Sequence, residues 1–145
     1  MAKTYNLYLS RAWFDSDHYG KFTELLNKRP FFTYNVLALP REDPAFASSS
    51  DEHLAETTRR NMAGSHVVFF LSNVYAGYEK WIDTELEVAR NRLTAPKPIV
   101  GVKPTADAEV VSVIADAADR IVEWDVKSAY DAVMDLATYD ILKEG

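Results

Sequence analysis

The run Val67-Val68-Phe69-Phe70-Leu71 constrains the fold of this chain more than any other stretch. A strand with one wet face alternates apolar and polar residues, whereas five apolar residues in a row describe a strand covered on both faces. Strands of that kind sit in the middle of parallel sheets with helices above and below. The run is also the longest purely apolar one in the chain. It is far short of the roughly 20 residues a membrane helix needs, so no span is expected.

The rest of the chain supplies partners for such a strand. Tyr5 to Ser10 reads as a first strand and Phe32 to Leu39 as a second, stopped by Pro40. His66 to Leu71 is the third, Ile99 to Val102 the fourth and Arg120 to Trp124 a short fifth. Between them lie helical patterns: His18 to Lys28, with Asp15, Ser16 or Asp17 as N-cap candidates; Ser50 or Asp51 to about Ala63; Tyr78 to Leu93; Ala108 to Ala118; and Ser128 to Lys143. Every crossover is long enough to hold a helix, so the strands should be parallel and the connections right-handed. The natural closure is an α/β three-layer flavodoxin-like sandwich, with a five-stranded parallel sheet in the order 2-1-3-4-5. No internal repeat or linker interrupts it, and residues 1–145 are expected to form one domain.

Composition narrows the function classes. Hydrophobic residues make up 48% and charged residues 26%, the balance of a folded globular protein. Sixteen Lys and Arg against 22 Asp and Glu give a net charge of −6, and the basic residues are not concentrated beyond isolated pairs such as Arg59-Arg60, so nucleic acid is not an expected partner. With no cysteine in the chain, disulfides, thiolate nucleophiles and Cys-ligated metals drop out. That fits a reducing cytoplasm, and the opening Met1-Ala2-Lys3-Thr4-Tyr5-Asn6 has no apolar core of a signal peptide behind it.

In an open parallel sheet the ligand crevice lies beyond the carboxyl ends of the strands, at the switch point between strands 1 and 3. The loops after Ser10, Leu39 and Leu71 are therefore nominated. Strand 3 ends in Ser72-Asn73, with no aspartate to phosphorylate as a receiver domain would require. Neither a Gly-x-Gly-x-x-Gly nor a Gly-x-x-x-x-Gly-Lys motif occurs, and Arg11-Ala12-Trp13-Phe14 is too bulky for a flavin phosphate loop. His18, His53 and His66 are too scattered to suggest a metal site, so no metal is expected. The loops do carry rings beside polar groups: Trp13, Phe14 and Tyr19, then Asn73, Tyr75, Tyr78 and Trp81. Such rings suit a nucleotide base and ribose, and they equally suit the plain task of covering a sheet edge.

The helix after strand 3 adds a carboxylate. At about 100° per residue, Leu86, Ala89 and Leu93 fall within about 40° of Ile82 and define a buried stripe. Glu85 lies about 60° to one side of Ile82, on the flank of Tyr78 and Trp81, where it is expected to be half-buried under aromatics while Asp83 and Glu87 face solvent. Partial burial can give such a group a functional environment, although most helix glutamates are solvated charges.

The stretch Leu71 to Leu86, with Trp81 four positions before Glu85, resembles the TIR-domain signature. More closely, the chain resembles the TIR-like proteins of bacterial Thoeris anti-phage defence. The matching features are Ser10-Arg11-Ala12-Trp13 after the first strand, Pro40-Arg41-Glu42-Asp43-Pro44 in the second loop, the Tyr-x-x-Tyr-x-Lys-Trp-Ile-x-x-Glu pattern from Tyr75 to Glu85, and Pro98-Ile99-Val100-Gly101-Val102-Lys103-Pro104. The resemblance implies an enzyme that consumes NAD as substrate and needs no separate cofactor. It would cleave the nicotinamide–ribose bond, often cyclising the remaining ADP-ribose into a signalling nucleotide. It assigns catalysis to Glu85, stacking or shaping to Trp13, Tyr75 and Trp81, and ribose or phosphate contacts to Ser10 and Arg11. Asn73 and Tyr78 complete the expected binding set. It also implies a phage-derived trigger, a separate effector protein addressed through the product, and packing into a homo-oligomer on activation, for which the loop Pro40 to Ser50 is the candidate contact. A non-catalytic TIR adaptor and a generic flavodoxin-like nucleotide binder are the competing readings.

Overall fold

The computed structural model describes residues 3–15, 17–38 and 51–137. Chain order is β1 (Thr4–Leu9), a 3-10 turn (Arg11–Asp15), α1 (His18–Leu26), β2 (Thr33–Leu37), α2 (Asp51–Met62), β3 (Val67–Leu71), α3 (Glu79–Asn91), β4 (Ile99–Val102), α4 (Ser112–Ala117), β5 (Arg120–Val122) and α5 (Val126–Leu136). The five strands form one sheet in the order β2-β1-β3-β4-β5, every neighbouring pair parallel, as the alternation of strands and helices predicts. β1 pairs with β3 through Leu7 opposite Val67 and Leu9 opposite Phe69.

The apolar run of β3 is buried along its whole length and splits between two cores. Val67, Phe69 and Leu71 join Leu7, Leu9, Phe22, Leu25 and the alanines of α5 on one side of the sheet. Val68 and Phe70 join Tyr8, Met62, Ile82, Val88 and Ile114 on the other, under α2, α3 and α4. Period-two alternation in each strand thus feeds two helix layers, which makes the three-layer sandwich.

Several boundaries differ from the sequence reading for local reasons. α4 starts at Ser112 and not at Ala108, because Val111 is held extended with its N–H donating to the Ser72 carbonyl at 2.9 Å. α5 starts at Val126, since Asp125 is its N-cap and accepts from the Ser128 backbone N–H at 3.1 Å and from its hydroxyl at 2.8 Å. Asp17 occupies the N-cap of α1 without a side-chain cap bond. The loop Pro40 to Ser50 and the end of the terminal helix lie outside the described residues.

Candidate functional site

Tyr8 and Ser10 are two residues apart near the carboxyl end of β1, so both side chains leave the same face of the sheet, the one α3 covers. Across from them α3 presents Glu85, which is 1% exposed. Its Oε1 accepts from the Ser10 hydroxyl at 2.7 Å. Its Oε2 accepts from the Tyr8 hydroxyl at 2.8 Å and from the Arg11 backbone N–H at 3.1 Å. Three donors from one strand end thus converge on one carboxyl group.

Burial and hydrogen bonding oppose each other at this group. Loss of water pushes the Glu85 carboxyl up to about 7, the net result after the Ser10 and Tyr8 hydroxyls, the Arg11 amide and the Arg11 charge pull it down. The Tyr8 phenol is driven well above its ordinary range by its own burial, then by the charge of Glu85 and by the bond to it. Near neutral pH Glu85 is therefore divided between acid and anion, while Tyr8 stays a donor.

Glu85 is buried more deeply than its expected place at the border of the stripe. The buried residues of α3 are Ile82, Glu85, Val88 and Ala89, with Leu86 and Leu93 only partly covered. The helix is thus turned about 60° from the stripe expected from Ile82, Leu86, Ala89 and Leu93, and Glu85 comes to the middle of the buried face. Asp83 and Glu87 are exposed, as the wheel predicts.

The aromatic set divides. Tyr78, at the N-cap of α3, and Trp81, one turn before Glu85, pack as a tilted pair at 6.4 Å. Tyr75 is half-buried and its hydroxyl meets both oxygens of Asp83 at 2.9 Å, while Asn73 is exposed on the loop after β3. Gly77, at φ +86°, lets that loop turn into α3. Trp13 goes elsewhere, contrary to the stacking role assigned to it. The 3-10 turn after Ser10 carries its ring to the opposite core, 0% exposed, 4.7 Å from Phe22, with the indole N–H donating to the Phe69 carbonyl at 3.0 Å. No face of that ring is open to a ligand. Among the histidines, His66 Nδ1 accepts from the Asn6 backbone N–H at 2.9 Å, a structural use.

Sequence reasoning passed over Tyr8. The signal for it is the alternation of β1: a tyrosine two residues before Ser10 faces the same layer, and a buried phenol needs a partner. Three surface clefts, around Arg59 and Lys97, between Glu52 and Lys80, and along Tyr19 and Asn35, do not reach Glu85.

Residues 8–109 match the family model of the TIR-like domain of the Thoeris protein ThsB. The chain belongs to that family. The matched span begins at Tyr8 and takes in Ser10, Arg11 and Glu85, so the cluster lies wholly inside the ThsB TIR-like domain. No curated protein matches the chain. Among the described residues, no helix is long and apolar enough to cross a membrane.

Proposed function

We propose that this chain acts in Thoeris anti-phage defence as an NAD-consuming enzyme, with Glu85 as the catalytic carboxylate and an ADP-ribose-derived, cyclic nucleotide as product. The observation that carries this reading is a buried carboxyl group beside the carboxyl end of β1, held by three donors, with burial pushing it above the ordinary glutamate range. Such a placement is costly for a protein that needs only a surface.

In the proposed reaction the bond between ribose C1′ and the nicotinamide nitrogen breaks, and its electron pair neutralises the pyridinium. Nicotinamide leaves uncharged and requires no strong general acid. The ribose is left with oxocarbenium character, which the Glu85 anion stabilises at close range. A water, or a nucleophile elsewhere on the ADP-ribose itself, then bonds to C1′ and loses its proton. Ser10 and Arg11 are the proposed contacts to ribose hydroxyls or phosphate, and the Tyr75, Tyr78, Trp81 and Asn73 flank is the proposed seat of the base. The product would address a separate effector protein.

The adaptor reading draws on one observation as well, the 1% exposure of Glu85, because a sealed carboxylate cannot touch substrate without movement. Phage-triggered assembly with a second copy would supply that movement. Incubation of the purified protein with NAD, with and without lysate from phage-infected cells, separates the readings. Nicotinamide release in wild type that falls at least a hundredfold in Glu85→Gln is expected. No release in either condition, or equal release from the variant, would sink the catalytic reading in favour of the adaptor.

A further inference from the structure

Among the three donors on Glu85, Tyr8 differs from the others in position. Like Ser10 it is 0% exposed, but it sits two residues, about 6.6 Å, further back along β1 from the carboxyl end of the strand. Its ring belongs to the core layer formed with Ala55, Met62, Val68, Phe70 and Ile82, which locks the hydroxyl in place. Ser10 and the Arg11 amide lie at the carboxyl end of β1, the side of the sheet on which ligands bind in folds of this kind. The Tyr8 bond is the one set furthest back from that end.

We propose that Tyr8 is a positioning residue of this site, whose phenol fixes the orientation of the Glu85 carboxylate and holds it in its anionic form while Ser10 exchanges to substrate. The role for Ser10 and the effect on turnover rest on the NAD-cleaving reading; the coupling between Tyr8 and Glu85 does not. The titratable and charged groups acting on Glu85 are Tyr8 from β1 and Arg11 from the turn that follows, with the Ser10 hydroxyl as a further donor. From α2 and β3 the same layer receives apolar Ala55, Met62, Val68 and Phe70. A phenol that donates to Oε2 is stronger when Glu85 is charged, so its removal favours the protonated acid.

The test uses the full chain with carbon-13 in the glutamate carboxyl and tyrosine ring positions, followed by NMR from pH 5 to 9, with Glu85→Gln to assign the Glu85 signal. In wild type the Tyr8 ring carbon bearing oxygen should shift with the same midpoint as the Glu85 carboxyl, about 7. In Tyr8→Phe, which keeps the ring, the Glu85 midpoint should rise by about one pH unit. The acid limb of nicotinamide release should rise with it, lowering turnover about fivefold at pH 7 and restoring it at higher pH. A role in packing alone would lower the melting temperature and leave both midpoints in place. A Tyr8 carbon that ignores the Glu85 titration, or an unmoved midpoint in the variant, overturns the proposal. Should Tyr8→Phe fail to fold, the wild-type coupling decides alone. Should wild type release no nicotinamide, the enzymatic reading falls while the NMR midpoints still decide for or against Tyr8.

Discussion

Ser10 and Trp13 are three residues apart and serve opposite sides of the sheet. The Ser10 hydroxyl reaches Glu85 under α3, and the Trp13 ring closes the core against Phe22, 6.2 Å from Trp124. This split assigns Trp13 to stability. Truncation to Ala should cost about 3–5 kcal/mol in urea unfolding. Trp13→Phe, which mainly removes the bond to the Phe69 carbonyl, should cost about 1–2 kcal/mol and leave the KM for NAD of the folded protein unchanged. A tenfold rise in KM with stability intact would return Trp13 to the binding site. Side-chain direction was legible from sequence where a fixed period governs it: Asp83 and Glu87 face solvent as the helix wheel predicts and Ser10 follows the strand, whereas the wheel put Glu85 only at the border of the buried stripe. Trp13 was not legible, because the direction of a 3-10 turn is set by the space beneath it and has no signature in the apolar pattern.

At the scale of elements, the order of strands and helices was readable because each β-run is short, apolar and bounded by turn residues. The rotation of α3 was not, since the wheel centres its stripe on apolar residues and cannot know that Tyr8 and Ser10 offer hydrogen bonds to a glutamate. The start of α4 escaped for a similar reason, being fixed by the backbone bond from Val111 to Ser72, which lies far earlier in the chain and leaves no local cue. Between β4 and its neighbours, Gly101 marks a close approach. A Cβ there would stand 2.7 Å from Ile121 Cδ1, 3.1 Å from Ile114 Cγ2 and 3.5 Å from Ser72 Cβ. The tightest contact is the far end of one side chain, so Gly101→Ala should destabilise by about 1 kcal/mol. Ile121→Val deletes that Cδ1 atom, and the double variant should recover most of the loss introduced by the alanine. Additive losses in a denaturant-melt double-mutant cycle would show that the backbone of β4 limits the space instead.

For the whole molecule, the buried carboxyl ties stability to pH in a direction opposite to that of the exposed acids. Asp17, Glu56 and Asp125 are held below their ordinary values, first of all by hydrogen bonds from Lys21, Arg59 and Ser128. Their contribution is present above the unfolded value and fades as pH falls through the lowered one. Glu85 is raised from 4.5 to about 7, so the folded state binds more protons than the unfolded chain between those values. Its contribution is complete below pH 4.5 and is lost as pH rises to about 7, a change of roughly 3 kcal/mol. Stability should therefore peak on the acid side of neutrality, where the exposed acids are already ionised and Glu85 is still protonated. Glu85→Gln removes the titration while keeping the shape, so its unfolding free energy should gain on wild type by roughly 3 kcal/mol between pH 4.5 and 8. Urea unfolding of both proteins across that interval measures the difference directly, and a difference that stays flat with pH would mean that Glu85 keeps its charge throughout. In that case its three donors outweigh burial, and the acid limb proposed for turnover would have to lie below the midpoint near 7.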